Sequence, residues 1–186
     1  MNNKSESSWK TLSSTVVHRN PWFSVRQDTV IRPDGTHGEY NVVDRPDSVF
    51  VIALDETGRV RLVGQHRYTT GVYSLEIPAG STEEQEPLTA AKRELQEETG
   101  LAAAGWQRLG RIQCSNGVSN VFGHVFLATG LTQTSVQAQA EEGIVEQRTV
   151  PLGRALMMVR SGEITDSQSI TALSLAALHQ GLFRLE

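Results

Sequence analysis

Cysteine is almost absent. Cys114 is the single one in 186 residues, so an intrachain disulfide is excluded and a cysteine-based zinc site has too few ligands. That scarcity fits a reducing compartment. Long apolar runs are missing too: the run Val49-Phe50-Val51-Ile52-Ala53-Leu54 ends far short of the roughly 20 residues a helical membrane span needs. The opening residues, MNNKSESSWK, lack the apolar core of a secretory signal. Basic residues are outnumbered, 17 against 21 acidic, and a net charge of −4 argues against nucleic acid or an anionic membrane as partner. His18, His37, His124 and His179 show no metal-ligand spacing. The expectation is a soluble cytoplasmic protein with no nucleic-acid or membrane partner.

At 38% apolar content the chain can bury one good core. Two β-rich segments between Ser14 and Val43 flank Arg32-Pro33-Asp34-Gly35-Thr36, a turn signal, and predict a small leading β-unit over residues 1–46. Strands are expected at Ser48–Leu54, Arg59–Gln65 and Tyr73–Ile77, with Pro78-Ala79-Gly80 opening a loop. Pro87 suits a first helical position, and Leu88, Ala91 and Leu95 recur at helical spacing up to Gly100, which predicts a helix over Pro87–Thr99. Further strands are expected at Trp106–Cys114, Val121–Ala128 and Ile144–Val150, and helices at Gly153–Ser161 and Ser167–Gln180. Strands mixed with a few helices predict an α/β fold, a mixed β-sheet sandwiched between helices.

The charge is concentrated. From Ala79 to Leu101 there are six glutamates against one lysine and one arginine, which equals the net charge of the whole chain. Three of them, Glu94, Glu97 and Glu98, lie in the last turns of the predicted helix. The partial negative charge of that end makes each extra carboxylate cost roughly 0.3–1 kcal/mol. An ordinary solvated acidic face would explain clustering alone, since like charges at helical spacing cost only about 0.2–0.5 kcal/mol per pair. Arg93, four residues before Glu97, can hold one carboxylate and leave its neighbours free. Carboxylates beside a Pro-Ala-Gly loop also offer the all-oxygen shell that a hard divalent cation prefers.

Pro78 to Leu101, PAGSTEEQEPLTAAKRELQEETGL, resembles the Nudix box, with its REXXEEXG half complete at Arg93, Glu94, Glu97, Glu98 and Gly100. The resemblance implies a Nudix fold over residues 47–186. It also implies Mg2+, replaceable by Mn2+, on Glu94, Glu98 and the Ala79 carbonyl, with Glu97 assisting catalysis and Arg93 holding the helix carboxylates. The box departs from the family's spacing in one place: six residues rather than seven separate Glu86 from Arg93.

Outside the box, Arg32-Pro33-Asp34-Gly35, Val42 to Pro46, Leu62 to Tyr68, Leu75 to Gly80 and Gly162 to Asp166 are similar to the ADP-ribose pyrophosphatase branch. That branch implies a homodimer in which the leading β-unit is exchanged. Arg45 and Arg67 would then contact phosphate and ribose, Tyr40 with Trp22 or Phe23 would stack on adenine, and Gly80 would line the substrate. Simple packing is the competing role for the three aromatics. Glu141 and Glu142 stand where the branch carries a base and a further metal ligand, with Glu142 the ligand and Glu141 the base. Where the branch often has a proline this chain has Cys114-Ser115-Asn116-Gly117, which leaves room for another sugar. The implied activity is Mg2+-dependent hydrolysis of ADP-ribose to AMP and ribose 5-phosphate. Another nucleotide-sugar, a dinucleoside polyphosphate, or a non-catalytic ligand-binding module of the same fold are the alternatives.

Overall fold

The computed structural model describes residues 8–136 and 138–183. The chain divides into two compact units, Met1–Pro46 with Gln113–Val121, and Asp47–Ile112 with Phe122–Glu186.

The first unit is an antiparallel sheet of β1 (Lys10–Arg19), β2 (Ser24–Ile31) and β3 (His37–Asp44). Its β2–β3 turn forms as the Pro-Asp-Gly signal predicts: Gly35 takes φ 84 and Asp34 accepts from the Thr36 N–H at 3.0 Å. The β1–β2 turn is a second hairpin that the sequence did not announce. Asn20 makes it by accepting from the N–H groups of Trp22 and Phe23, both at 2.9 Å, a local bond that competes with strand pairing. Residues 113–121 return to this unit, where the Val43 N–H donates to the Val118 carbonyl and Asn120 bonds Asp44.

The second unit carries β4 (Ser48–Ala53), β5 (Arg59–Arg67), β6 (Val72–Glu76), β7 (Ala79–Ser81), α1 (Pro87–Thr99), β8 (Leu101–Gln113), β9 (Phe122–Gln133), β10 (Ile144–Pro151), α2 (Leu152–Ser161) and α3 (Ser167–His179). The expected mixed sheet is present in the order β7-β4-β9-β8, with β4 parallel to β9 and antiparallel to β7. Beside it stands an antiparallel sheet, β10-β5-β6. The chain turns sharply at Asp55–Gly58, and β4 and β5 meet there only at the Leu54–Val60 bridge, so they part into separate sheets. Ala79–Ser81, expected as loop, is a short strand against β4.

All six residues of β4 are buried, as a strand covered on both faces must be. Val49, Val51 and Ala53 meet Ala90, Ala91 and Leu95 of α1, together with Leu101, Phe126 and Ala128. The two-residue pleat turns Phe50 and Ile52 the other way, and α3 packs against β4 as well. Helices therefore lie on both faces, which fixes α1 rigidly against the sheet. Among the described residues no helix is long and apolar enough to cross a membrane.

Candidate active site

Local chemistry positions α1. Pro87 occupies the first turn, the Glu86 carboxylate accepts from the N–H groups of Leu88 (2.8 Å) and Thr89 (3.1 Å), and Gly100 closes the helix in the left-handed region at φ 70. The residue at the doubtful position of the box is therefore a helix cap. The loop one residue short is accommodated at Glu83 and Glu84, both non-glycine residues at positive φ (48 and 65). Such conformations cost on the order of 1–3 kcal/mol and persist where surroundings impose them. Arg93 reaches back to this loop and donates to the Ser81 carbonyl at 2.8 Å.

With Leu95 buried against β4, the helical period turns Glu94 and Glu98 inward, and each is only 5% exposed. Glu97 is partly exposed and accepts from Arg93 at 2.8 Å; the same guanidinium lies 2.9 Å from Glu94. The Glu98 carboxylate accepts from the Ala79 N–H at 2.9 Å, so the β7 backbone touches it through its N–H. Gly80 is a matter of space, because a Cβ there would lie 2.1 Å from the Glu94 carboxyl carbon.

Burial pushes the Glu98 carboxyl up to about 8 and Glu94 to about 7; the Glu94 charge adds to the rise at Glu98, and the Glu97 charge adds to the rise at Glu94 against the lowering pull of Arg93. Two carboxylates held this way want a compensating cation. Their all-oxygen chemistry fits a hard divalent ion such as Mg2+. Among the described residues no three His, Cys, Asp or Glu side chains form a complete metal cage. Backbone, water and substrate oxygens would have to finish the shell, which is the habit of Mg2+.

Glu142 is exposed in the turn before β10, yet its charge raises both Glu94 and Glu98. Glu141 is exposed in the same turn. Arg67, at the end of β5, is engaged bidentately by the buried Glu76 of β6, and Glu98 adds to the field that holds its charge. Glu76 is a residue that sequence reasoning missed. Its signal was present: a lone carboxylate between Leu75 and Ile77 must be buried, and a buried carboxylate needs a partner.

The remaining candidates, Arg45, Tyr40, Trp22 and Phe23, belong to the N-terminal unit. Arg45 is exposed, and so is Trp22, at 76%, in the β1–β2 turn. Phe23 packs on His18, while Tyr40 meets the edge of Trp9 and donates to the Gly117 carbonyl at 2.7 Å. Tyr40 thus has a packing role while remaining 36% exposed.

Comparison with known proteins shows the family. Residues 9–43 match the nucleoside diphosphate sugar hydrolase N-terminal domain, and residues 44–171 match the NUDIX domain. An ADP-ribose pyrophosphatase of Mycobacterium tuberculosis is 36% identical over 172 residues, covering 90% of this chain and 83% of that protein. One of Bacillus subtilis is 30% identical over 175 residues, covering 93% and 95%. A crystal structure of an ADP compounds hydrolase superposes with a TM-score of 0.83 at 21% identity, over 98% of this chain and all of that one. Its likeness is one of fold. The buried glutamate pair on a capped helix, in a chain matched to the NUDIX domain across residues 44–171, places this protein in the Nudix hydrolase family.

Proposed function

We propose that the protein hydrolyses the diphosphate of ADP-ribose, releasing AMP and ribose 5-phosphate, with Mg2+ or Mn2+ at Glu94, Glu98, the Ala79 carbonyl and Glu142. The observation that carries this reading is the pair of buried, desolvated carboxylates on the inner face of α1, a costly arrangement without a cation to hold. The names of the M. tuberculosis and B. subtilis relatives support the choice of substrate.

Bound there, the divalent ion would neutralise charge on the diphosphate and lower the pKa of attacking water. The protein's own residues supply the rest. Arg93 keeps Glu97 oriented beside the metal carboxylates through its 2.8 Å bond. Glu76 occupies two donors of Arg67 and leaves the other edge of the guanidinium for a phosphate oxygen. Gly80, lacking a Cβ, leaves the space that the Glu94 carboxyl occupies beside β7. Glu141 accepts the proton of the attacking water, and Arg45 with Tyr40, Trp22 or Phe23 grips the second phosphate and adenine.

The proposal includes a homodimer in the cytoplasm. Trp9, Leu12, Val16, Val17 and Trp22 of the N-terminal unit are at least 43% exposed, an apolar surface of the kind a second copy would cover. Incubation of purified protein with ADP-ribose and Mg2+ should yield AMP. No turnover of ADP-ribose or of a nucleotide-sugar panel would defeat the enzyme reading and favour a ligand-binding module. The match to the N-terminal domain of nucleoside diphosphate sugar hydrolases supports a second reading, in which another sugar replaces the terminal ribose.

A further inference from the structure

Several arginines in the second unit are committed to carboxylates. Arg67 is held by Glu76, Arg93 by Glu94 and Glu97, and Arg148 by Glu146 and Glu163. Arg59 and Arg61 are not. They alternate on β5, so their side chains share one face of the strand. Both line a cavity of about 200 Å³ floored by Ala53, Leu101 and Leu131.

Each guanidinium has five N–H donors. Arg59 donates one to the Thr149 carbonyl at 2.7 Å, and Arg61 one to the Gln147 side chain at 3.1 Å. Neither forms an ion pair among the described residues, and the Arg61 Nε is buried with no partner. Burial accordingly lowers the Arg61 pKa, with Asp55 opposing the shift. Asp55 also lines the cavity, but its Oδ1 is occupied by the N–H groups of Thr57 and Arg59 and by the Thr57 hydroxyl, all within 2.9 Å. Two cations against one turn-bound carboxylate leave the cavity net positive.

We propose that this cavity is a second binding site, distinct from the glutamate centre, for a small phosphate-bearing anion. Unspent guanidinium donors in a fork match phosphate oxygens bidentately. Size selects the class: 200 Å³ lies below the roughly 300–1,000 Å³ of pockets that hold drug-sized ligands, so a phosphate or small monoester fits and a dinucleotide does not. The site is one side chain from α1, because the Gln147 that accepts from Arg61 donates to the Glu98 carbonyl at 3.3 Å.

The inference is independent of the substrate reading, and its test avoids turnover. Inorganic phosphate and glycerol phosphate are titrated separately, by calorimetry, into the full chain in the presence of a chelator and at constant ionic strength. Saturable millimolar binding is expected for at least one, weakened about tenfold or more by Arg61→Gln and by Arg59→Gln, and unchanged in Arg67→Gln. Tighter binding of the monoester would assign the apolar floor to its organic part; equal binding would assign the site to phosphate itself. Arg59→Gln decides the matter alone if Arg61→Gln does not fold. The proposal is overturned if the wild type shows no saturable heat with either anion. It is equally overturned if binding survives the Arg59 and Arg61 changes and disappears with Arg67→Gln, which would put the anion at the glutamate centre.

Discussion

The two ends of α1 carry the same side chain for opposite reasons. At its start the Glu86 carboxylate accepts two backbone N–H groups, where the helix dipole welcomes negative charge. At its end Glu94, Glu97 and Glu98 crowd where the dipole repels them, with no basic residue in the last turn, and two of the three are buried. The first end follows the rules of folding and the second violates them, which is the expected signature of a functional site in an otherwise consistent sequence.

The contrast can be broken by substitution, and the largest effect should come from the costly end. Glu98→Gln is expected to reduce hydrolysis of ADP-ribose by about 10²-fold or more, with Mg2+ affinity falling in parallel, read by steady-state kinetics and metal titration. Glu97→Gln should lower kcat by a similar factor of about 10²–10⁴ while calorimetric substrate binding largely survives, since Glu97 sits beside the buried pair rather than in it. Unaltered kcat in either variant would remove the glutamate helix from the chemistry.

A smaller loss is expected for Gly80→Ala. The new methyl group would collide with the end of a flexible side chain, so Glu94 shifts while the fold persists. Mg2+ affinity should drop about tenfold with an unchanged circular dichroism spectrum.

The pH dependence of stability follows from the same burial. Glu94 and Glu98 have folded-state values raised above their ordinary 4.5, so the folded chain binds more protons than the unfolded one across that window. Stability of the metal-free protein should therefore fall as pH rises from about 5 to about 8, as these groups are forced to ionise while buried. Added Mg2+ should raise the melting temperature most at the alkaline end, and Glu98→Gln should flatten the profile. A metal-free melting curve that climbs over this range would contradict the assignment.

The mildest change belongs to the favourable end. Glu86→Ala removes the cap, costs at most about 1 kcal/mol and lowers the melting temperature by about 2–4 °C. Kinetics should stay as they were.

The bounds of α1 were readable because Pro87 and Gly100 act within a turn of the helix they delimit, whereas the Glu86 cap emerged only in the structure. The apolar face of α1 was readable from the spacing of Leu88, Ala91 and Leu95. The start of β8 was not: it runs from Leu101, well before the expected Trp106, because pairing within the sheet overrides a Leu-Ala-Ala-Ala stretch whose own preference is helical. β9 likewise extends to Gln133, past the expected Ala128. The Asn20 turn depended on one side chain bonding two backbone groups, which periodicity does not register. The pairing of Arg67 with Glu76 needed the β5–β6 register, and the Arg59–Arg61 cavity needed Leu101, Leu131 and Thr149 from three other strands.

By itself the sequence determined the bounds of α1 and the acidic run that marks the family, because each depends on interactions within a few residues. Only the tertiary structure decided which glutamates lose their water, which arginines find a carboxylate and which are left without one. Burial and ion pairing depend on segments brought together from far along the chain, and no local pattern encodes the distance between them.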